Sequence, residues 1–177
     1  MTEESSEEIE TFECPVGVFP SNTVAWLRDR ETGRNSGSMN GSSVLDWLTE
    51  CASRGCERLV NGLLTLLKLQ GNNRDVVLRK PLLAAVNWGH TGIVKDLLDN
   101  GAYIHTQDND GYTILMIASE HGHQEVVELL IKYLLERNEL EFLDINNARM
   151  VALMNYHHEI AQFLLLTIAT NFEYVQR

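Results

Sequence analysis

The chain has 177 residues and 44% hydrophobic content, enough for one domain with a real core, alone or with a tail. A formal net charge of −11 argues against direct binding to nucleic acid or to anionic membrane surfaces, both of which need clustered Lys and Arg. The longest apolar run, Phe163 to Ala169, is far too short for a membrane helix.

Residues 1–13 carry six Glu and no basic residue, which predicts a disordered acidic tail. Ser5 and Ser6, followed by Glu7 and Glu8, suit an acid-directed kinase, although plain solvation explains the segment more simply. Pro15 and Pro20 interrupt regular structure, and Ser21 or Asn22 can cap a short helix over 22–30 carrying Val24, Trp26 and Leu27. That helix either folds back over the first repeating unit or docks elsewhere as a linear motif. Residues 32–43, rich in Gly, Ser and Asn, read as a linker that completes a leader over 1–43. No charged-then-apolar leader opens the chain, and its three cysteines are odd in number. Reduced thiols and a cytoplasmic or nuclear setting are the expectation. Cys51 and Cys56 match no common zinc spacing.

From Val44 a helical pattern begins, with Ser43 as its cap and Leu48, Cys51, Ala52, Leu59, Val60, Leu63 and Leu64 on one face. Moved forward by 34, these positions meet Leu82, Ala85, Val86, Ile93, Val94, Leu97 and Leu98, and Gly55 meets Gly89. Moved by a further 33, Leu82, Ala85, Gly89, His90, Ile93, Val94, Leu97 and Leu98 meet Leu115, Ala118, Gly122, His123, Val126, Val127, Leu130 and Ile131. Thr113 can cap the helix that follows it, while Gly111 and Gly122 suit turns that need φ > 0.

A final, weaker copy aligns Ala152, His157, Ile160, Phe163 and Leu164, but puts Arg149 at a core position and Tyr156 at the turn glycine. Met150 and Leu153 are expected to make up for the missing leucine, and Phe172 and Tyr174 to wrap the exposed end of the stack. The units span about 44–76, 77–107, 108–143 and 144–177. Two short helices cannot bury such faces alone and need copies of themselves.

This period, with Pro81-Leu82, Gly89-His90, Gly111-Tyr112-Thr113, Ala118 and Gly122-His123, resembles the ankyrin repeat. The departures are Trp47 and Cys56, standing where the family has Pro and His. The resemblance implies an all-α solenoid of about four helix-turn-helix units with β-turn fingers, and a structural role for His90, His123 and His157 in bridging units. No metal site is expected, since the pairs His121/His123 and His157/His158 point to different faces and no H-E-x-x-H is present. No cofactor is expected. No nucleophile, base and orienting group can be assembled, so the chain does not read as an enzyme.

The resemblance also implies protein binding through the fingers and the concave face of the first helices. Residues at the turns, free of packing duty, are Ser53 and Arg54, Asn87 and Trp88, Glu120 and His121, and by weaker alignment Met154 and Asn155. The finger between the two best units contributes Tyr103, His105, Gln107, Asn109, Asp110 and Tyr112. Trp, Tyr and Arg dominate interface hot spots, so this set reads as partner-binding. The expected function is an adaptor or stoichiometric regulator that holds a partner protein, one of basic character fitting the charge. The alternatives are an acidic chaperone or assembly factor for a basic client, and a subunit that pairs through its C-terminal helix.

Overall fold

The computed structural model of the chain describes residues 41–68 and 74–171. The acidic tail, the Trp26 segment, most of the linker, the turn over 70–73, Phe172 and Tyr174 lie outside these residues. Among the described residues there are eight helices and no strand. They are α1 (Gly41–Ser53), α2 (Glu57–Lys68), α3 (Arg74–Asn87), α4 (Thr91–Asp99), α5 (Ile114–Glu120), α6 (Gln124–Glu136), α7 (Phe142–Met154) and α8 (His158–Thr170). Consecutive pairs form four hairpins. The odd-numbered helices pack as one row and the even-numbered helices as another.

One local device closes every hairpin. The residue after the turn donates its N–H to a carbonyl in the helix just finished: Cys56 to Cys51, His90 to Ala85, His123 to Ala118 and His157 to Ala152, at 2.9–3.0 Å. Such a closure needs a left-handed residue at the turn. Gly55, Gly89 and Gly122 supply it with φ between 73° and 75°. The fourth hairpin uses Tyr156 instead, at φ 64°.

The repeated apolar positions make the core. Leu48, Leu82, Leu97, Leu130 and Leu164 are fully buried, each removal from water contributing about 1.5–3 kcal/mol. Ala52, Ala85, Ala118 and Ala152 are also fully buried, and their small side chains let the odd-numbered row pack closely.

Two expectations are corrected. α1 begins at Gly41, ahead of the Ser43 cap. α3 carries Pro81 in its interior, where the ring gives up one helical hydrogen bond and is buried. In the fourth hairpin, Met150 and Leu153 do not replace the missing leucine, because both are exposed. Ile145, Ala148, Val151 and Ala152 fill that core instead. Arg149 is half-buried, with Nη2 donating to Asn146 Oδ1 at 3.1 Å and Nε buried without an acceptor. Cys51 is a free, buried thiol.

Candidate functional site

The finger over 102–114 is built on one carboxylate. Asp108 Oδ1 accepts the N–H groups of Asp110 at 2.9 Å and Tyr112 at 2.8 Å, while Asp108 N donates to the Tyr112 carbonyl at 2.9 Å. Aspartate folds a turn this way because its short side chain reaches backbone groups two to four residues on. Gly111, at φ 83°, completes the reversal, and Gln107 pairs with Thr113 in an antiparallel bridge. Burial then alternates: Ile104 and Thr106 point inward, and Tyr103 and Gln107 point outward. Asn109 and Asp110 stand exposed at the tip, and Tyr112 is half-buried.

The finger is tied to the units on both sides. Arg79 on α3 donates twice to the Gln107 carbonyl, at 2.7 and 3.2 Å. On the other side, His105 Nε2 lies 3.3 Å from Glu139 Oε2 and its ring stands 5.4 Å from that of Tyr103. Burial, aided by Glu141, pushes the Asp144 carboxyl above its usual value, and His105 opposes that shift. Asp99 accepts from the Tyr133 hydroxyl, linking α4 to α6. Desolvation first, and the Asp99 contact next, push this tyrosine up to about 12.

At the turns, three imidazoles cross from one unit to the one before it. His90 Nε2 donates to the Ser53 carbonyl, His123 Nε2 to Asn87 and His157 Nε2 to Glu120, each at 3.0 Å. The bridging role expected for all three holds. Asn87 and Glu120 are therefore joined to the stack through their backbones. Arg54 is exposed and pairs with Glu50 at 2.5 Å, one helical turn away. Trp88 is 63% exposed. His121 is exposed, turns back to the Ile117 carbonyl at 3.0 Å, and stacks on His123.

The residues singled out from sequence thus fall into two groups, a rigid finger and a row of turn positions at the ends of α1, α3 and α5. Both present aromatic and hydrogen-bonding groups on ordered backbone, suited to contact with another surface. Among the described residues, no group of three or more His, Cys, Asp or Glu is arranged to hold a metal ion. No helix there is long and apolar enough to cross a membrane. Sequence reasoning missed two organising residues. Asp108 was legible as the aspartate opening an Asp-x-x-Gly turn, whereas nothing local announced Arg79.

A family model described as ankyrin repeats (3 copies) matches residues 48–140. The fourth hairpin lies beyond that match. The E3 ubiquitin-protein ligase XBAT33 of Arabidopsis thaliana is 34% identical over 88 residues, which are 50% of this chain and 17% of that protein. The probable E3 ubiquitin-protein ligase XBOS33 of Oryza sativa subsp. japonica is 43% identical over 56 residues, 32% of this chain and 11% of its own. The probable ligase XBOS32 of the same plant is 32% identical over 85 residues, again 17% of its length. The chain spans less than a fifth of each of these relatives. Repeated hairpins, turn glycines, bridging imidazoles and the family match agree: the chain belongs to the ankyrin-repeat family, whose fold is a non-catalytic module for binding other proteins.

Proposed function

We propose that the chain is an adaptor or stoichiometric regulator that holds one partner protein along the first helices of its hairpins and against its finger. The observation that carries this reading is Trp88, a large apolar ring left exposed on an otherwise well-packed turn. Tyr103 is exposed in the same way on the finger. Rigid aromatic side chains give contact area at low entropic cost, and they are the usual anchors of interfaces. Arg54, Asn87, Glu120, His121, His105, Gln107, Asn109, Asp110 and Tyr112 complete the contact surface in this reading. The ankyrin domain runs over 44–177, behind an acidic leader of 43 residues. The net charge of −11 favours a partner with a basic surface, because complementary charge speeds encounter.

The test is crosslinking pulldown with mass spectrometry, comparing the wild-type chain with Trp88→Ala. The partner should be lost with Trp88→Ala while circular dichroism stays unchanged. Loss of fold together with binding would return Trp88 to a structural role. Charge-driven chaperoning of a basic client, the alternative, would instead weaken steeply between low and high salt. The relatives named as E3 ubiquitin-protein ligases support a narrower form of the adaptor, in which the bound partner is a protein destined for ubiquitin transfer. Enrichment of ubiquitin-conjugated proteins in the same pulldown tests that form.

A further inference from the structure

A glycine leaves its own N–H open to the side chain of the residue before it, because no Cβ stands in the way. When that residue is Asp or Asn, the nitrogen can attack the side-chain carbonyl carbon and close a five-membered imide. The chain has four such pairs: Asn40-Gly41, Asn61-Gly62, Asn100-Gly101 and Asp110-Gly111. Asn40 lies outside the described residues. The fold treats the other three differently.

Two of them are closed. Asn61 and Gly62 sit inside α2, where helical bonding commits the Gly62 N–H to the carbonyl one turn before it. Gly101 donates its N–H to the Leu98 carbonyl at 3.0 Å, and Asn100 Nδ2 is held on the Asp96 carbonyl at 2.7 Å. Asp110-Gly111 is open. Both residues are exposed at the finger tip, and nothing lies within 4 Å of a would-be Cβ on Gly111. Among the described residues, the Gly111 N–H has no acceptor and the Asp110 carboxylate has neither a donor nor a cation. Asn109, next door, is shielded, since the nitrogen it would need, Asp110 N, donates to Asp108 Oδ1 at 2.9 Å.

We propose that Asp110 is a site of spontaneous isoaspartate formation. The Gly111 nitrogen bonds to Asp110 Cγ and gives up its proton, and one carboxyl oxygen leaves as water. Water then adds to either carbonyl of the imide. Opening at the α-carbonyl leaves Gly111 joined through Cγ, with the carboxylate now on the α-carbon. Water lost and water gained balance, and no oxidant or cofactor enters. The consequence falls on the turn, because the new linkage inserts Cβ into the main chain. Asp108 Oδ1 holds Asp110 N at 2.9 Å and Tyr112 N at 2.8 Å, one on each side of that linkage. The spacing that lets one oxygen hold both is lost, so the isomer releases Tyr112. The site does not depend on the finger's binding a partner, but on that reading it gives the contact surface a lifetime.

Incubation of the full chain in warm, neutral buffer made with heavy-oxygen water, native and in urea, tests the site by peptide mass spectrometry. Hydrolysis of the imide leaves a heavy oxygen on residue 110, and fragmentation separates aspartate from isoaspartate. Native Asp110 should react within about tenfold of its rate in urea. Asn61 and Asn100 should react about a hundredfold more slowly in the native chain than in urea, because helix or cap must open first. Asp110→Glu, whose longer side chain disfavours the imide, should lose the label in this peptide. The isolated isoaspartyl form should exchange its Tyr112 amide tenfold faster or more. Asp110 slowed by folding as strongly as Asn61 and Asn100 overturns the proposal. Label that persists in Asp110→Glu overturns it too, since Asn109 is then the source. An unchanged Tyr112 exchange rate overturns the effect on the turn. None of these readouts involves a partner protein, so failure of the proposed binding function would show separately.

Discussion

His123 donates from Nε2 to the carbonyl of Asn87, 36 residues earlier, and the same imidazole fills the space above Gly89 that a Cβ would need. One side chain thereby fixes both the spacing of two units and the identity of the turn residue between them. The arrangement recurs at His90 over Gly55 and at His157 over Gly122.

Adjacent histidines should therefore behave differently. His157→Ala removes a bond to the Glu120 carbonyl and uncovers Gly122, and is expected to cost about 1–2 kcal/mol. His158 is exposed, and His158→Ala should fall within about 0.5 kcal/mol of the wild type. Urea denaturation followed by circular dichroism checks both. Equal losses would mean that the bridge contributes nothing.

Two glycines separate backbone strain from crowding. Gly111 has φ 83° and open space around a would-be Cβ, so Gly111→Ala should cost about 1 kcal/mol from the backbone alone. Gly122 has φ 75°, but a Cβ there would stand 2.5 Å from the His157 ring. Gly122→Ala should cost about 2–4 kcal/mol, the excess coming from displacement of that ring. The difference in urea midpoint between the two variants is the measurement.

Tyr156 carries strain that its equivalents avoid. A non-glycine residue in the left-handed region costs about 1–2 kcal/mol, partly offset by the lower unfolded-state entropy of tyrosine relative to glycine. Tyr156→Gly should raise stability by about 0.5–1 kcal/mol in urea melts at low protein concentration. A fall in stability would show that the tyrosine ring makes up the difference through its packing.

Alkaline pH should weaken the fold in a defined window. Desolvation first, and Glu50 next, raise the Cys51 thiol from 9.0 to about 11, against the pull of Arg54. The folded state thus holds this proton more tightly than the unfolded state does. The resulting stability is intact below pH 9.0 and is lost as pH climbs through about 11. Tyr133, raised from 10.0 to about 12, extends the loss upward. Cys51→Ala should flatten the lower part of the window in urea melts at stepped pH. At mildly alkaline pH the native thiol should also react about 100-fold more slowly with alkylating reagents than the unfolded one.

The stack was legible because its determinants are local and repeat at fixed spacing. A turn glycine, a following histidine and paired apolar residues mark each hairpin without reference to the rest of the chain. The fourth core was not legible, because α7 is apolar on nearly every side and periodicity then cannot say which side faces in. Met150 and Leu153 suited the pattern, yet Ile145, a turn nearer the start of the helix, fills the place beside the half-buried Arg149.

Every tie described between hairpins joins a unit to its immediate neighbour: His90 to Ser53, Tyr133 to Asp99, His105 to Glu139. Under a pulling force such a molecule behaves like a short spring, each coil gripping the next and none fastened across the whole length. A load on the last coil would peel it away while the others keep their grip, so the chain can yield at one end and still hold at the other.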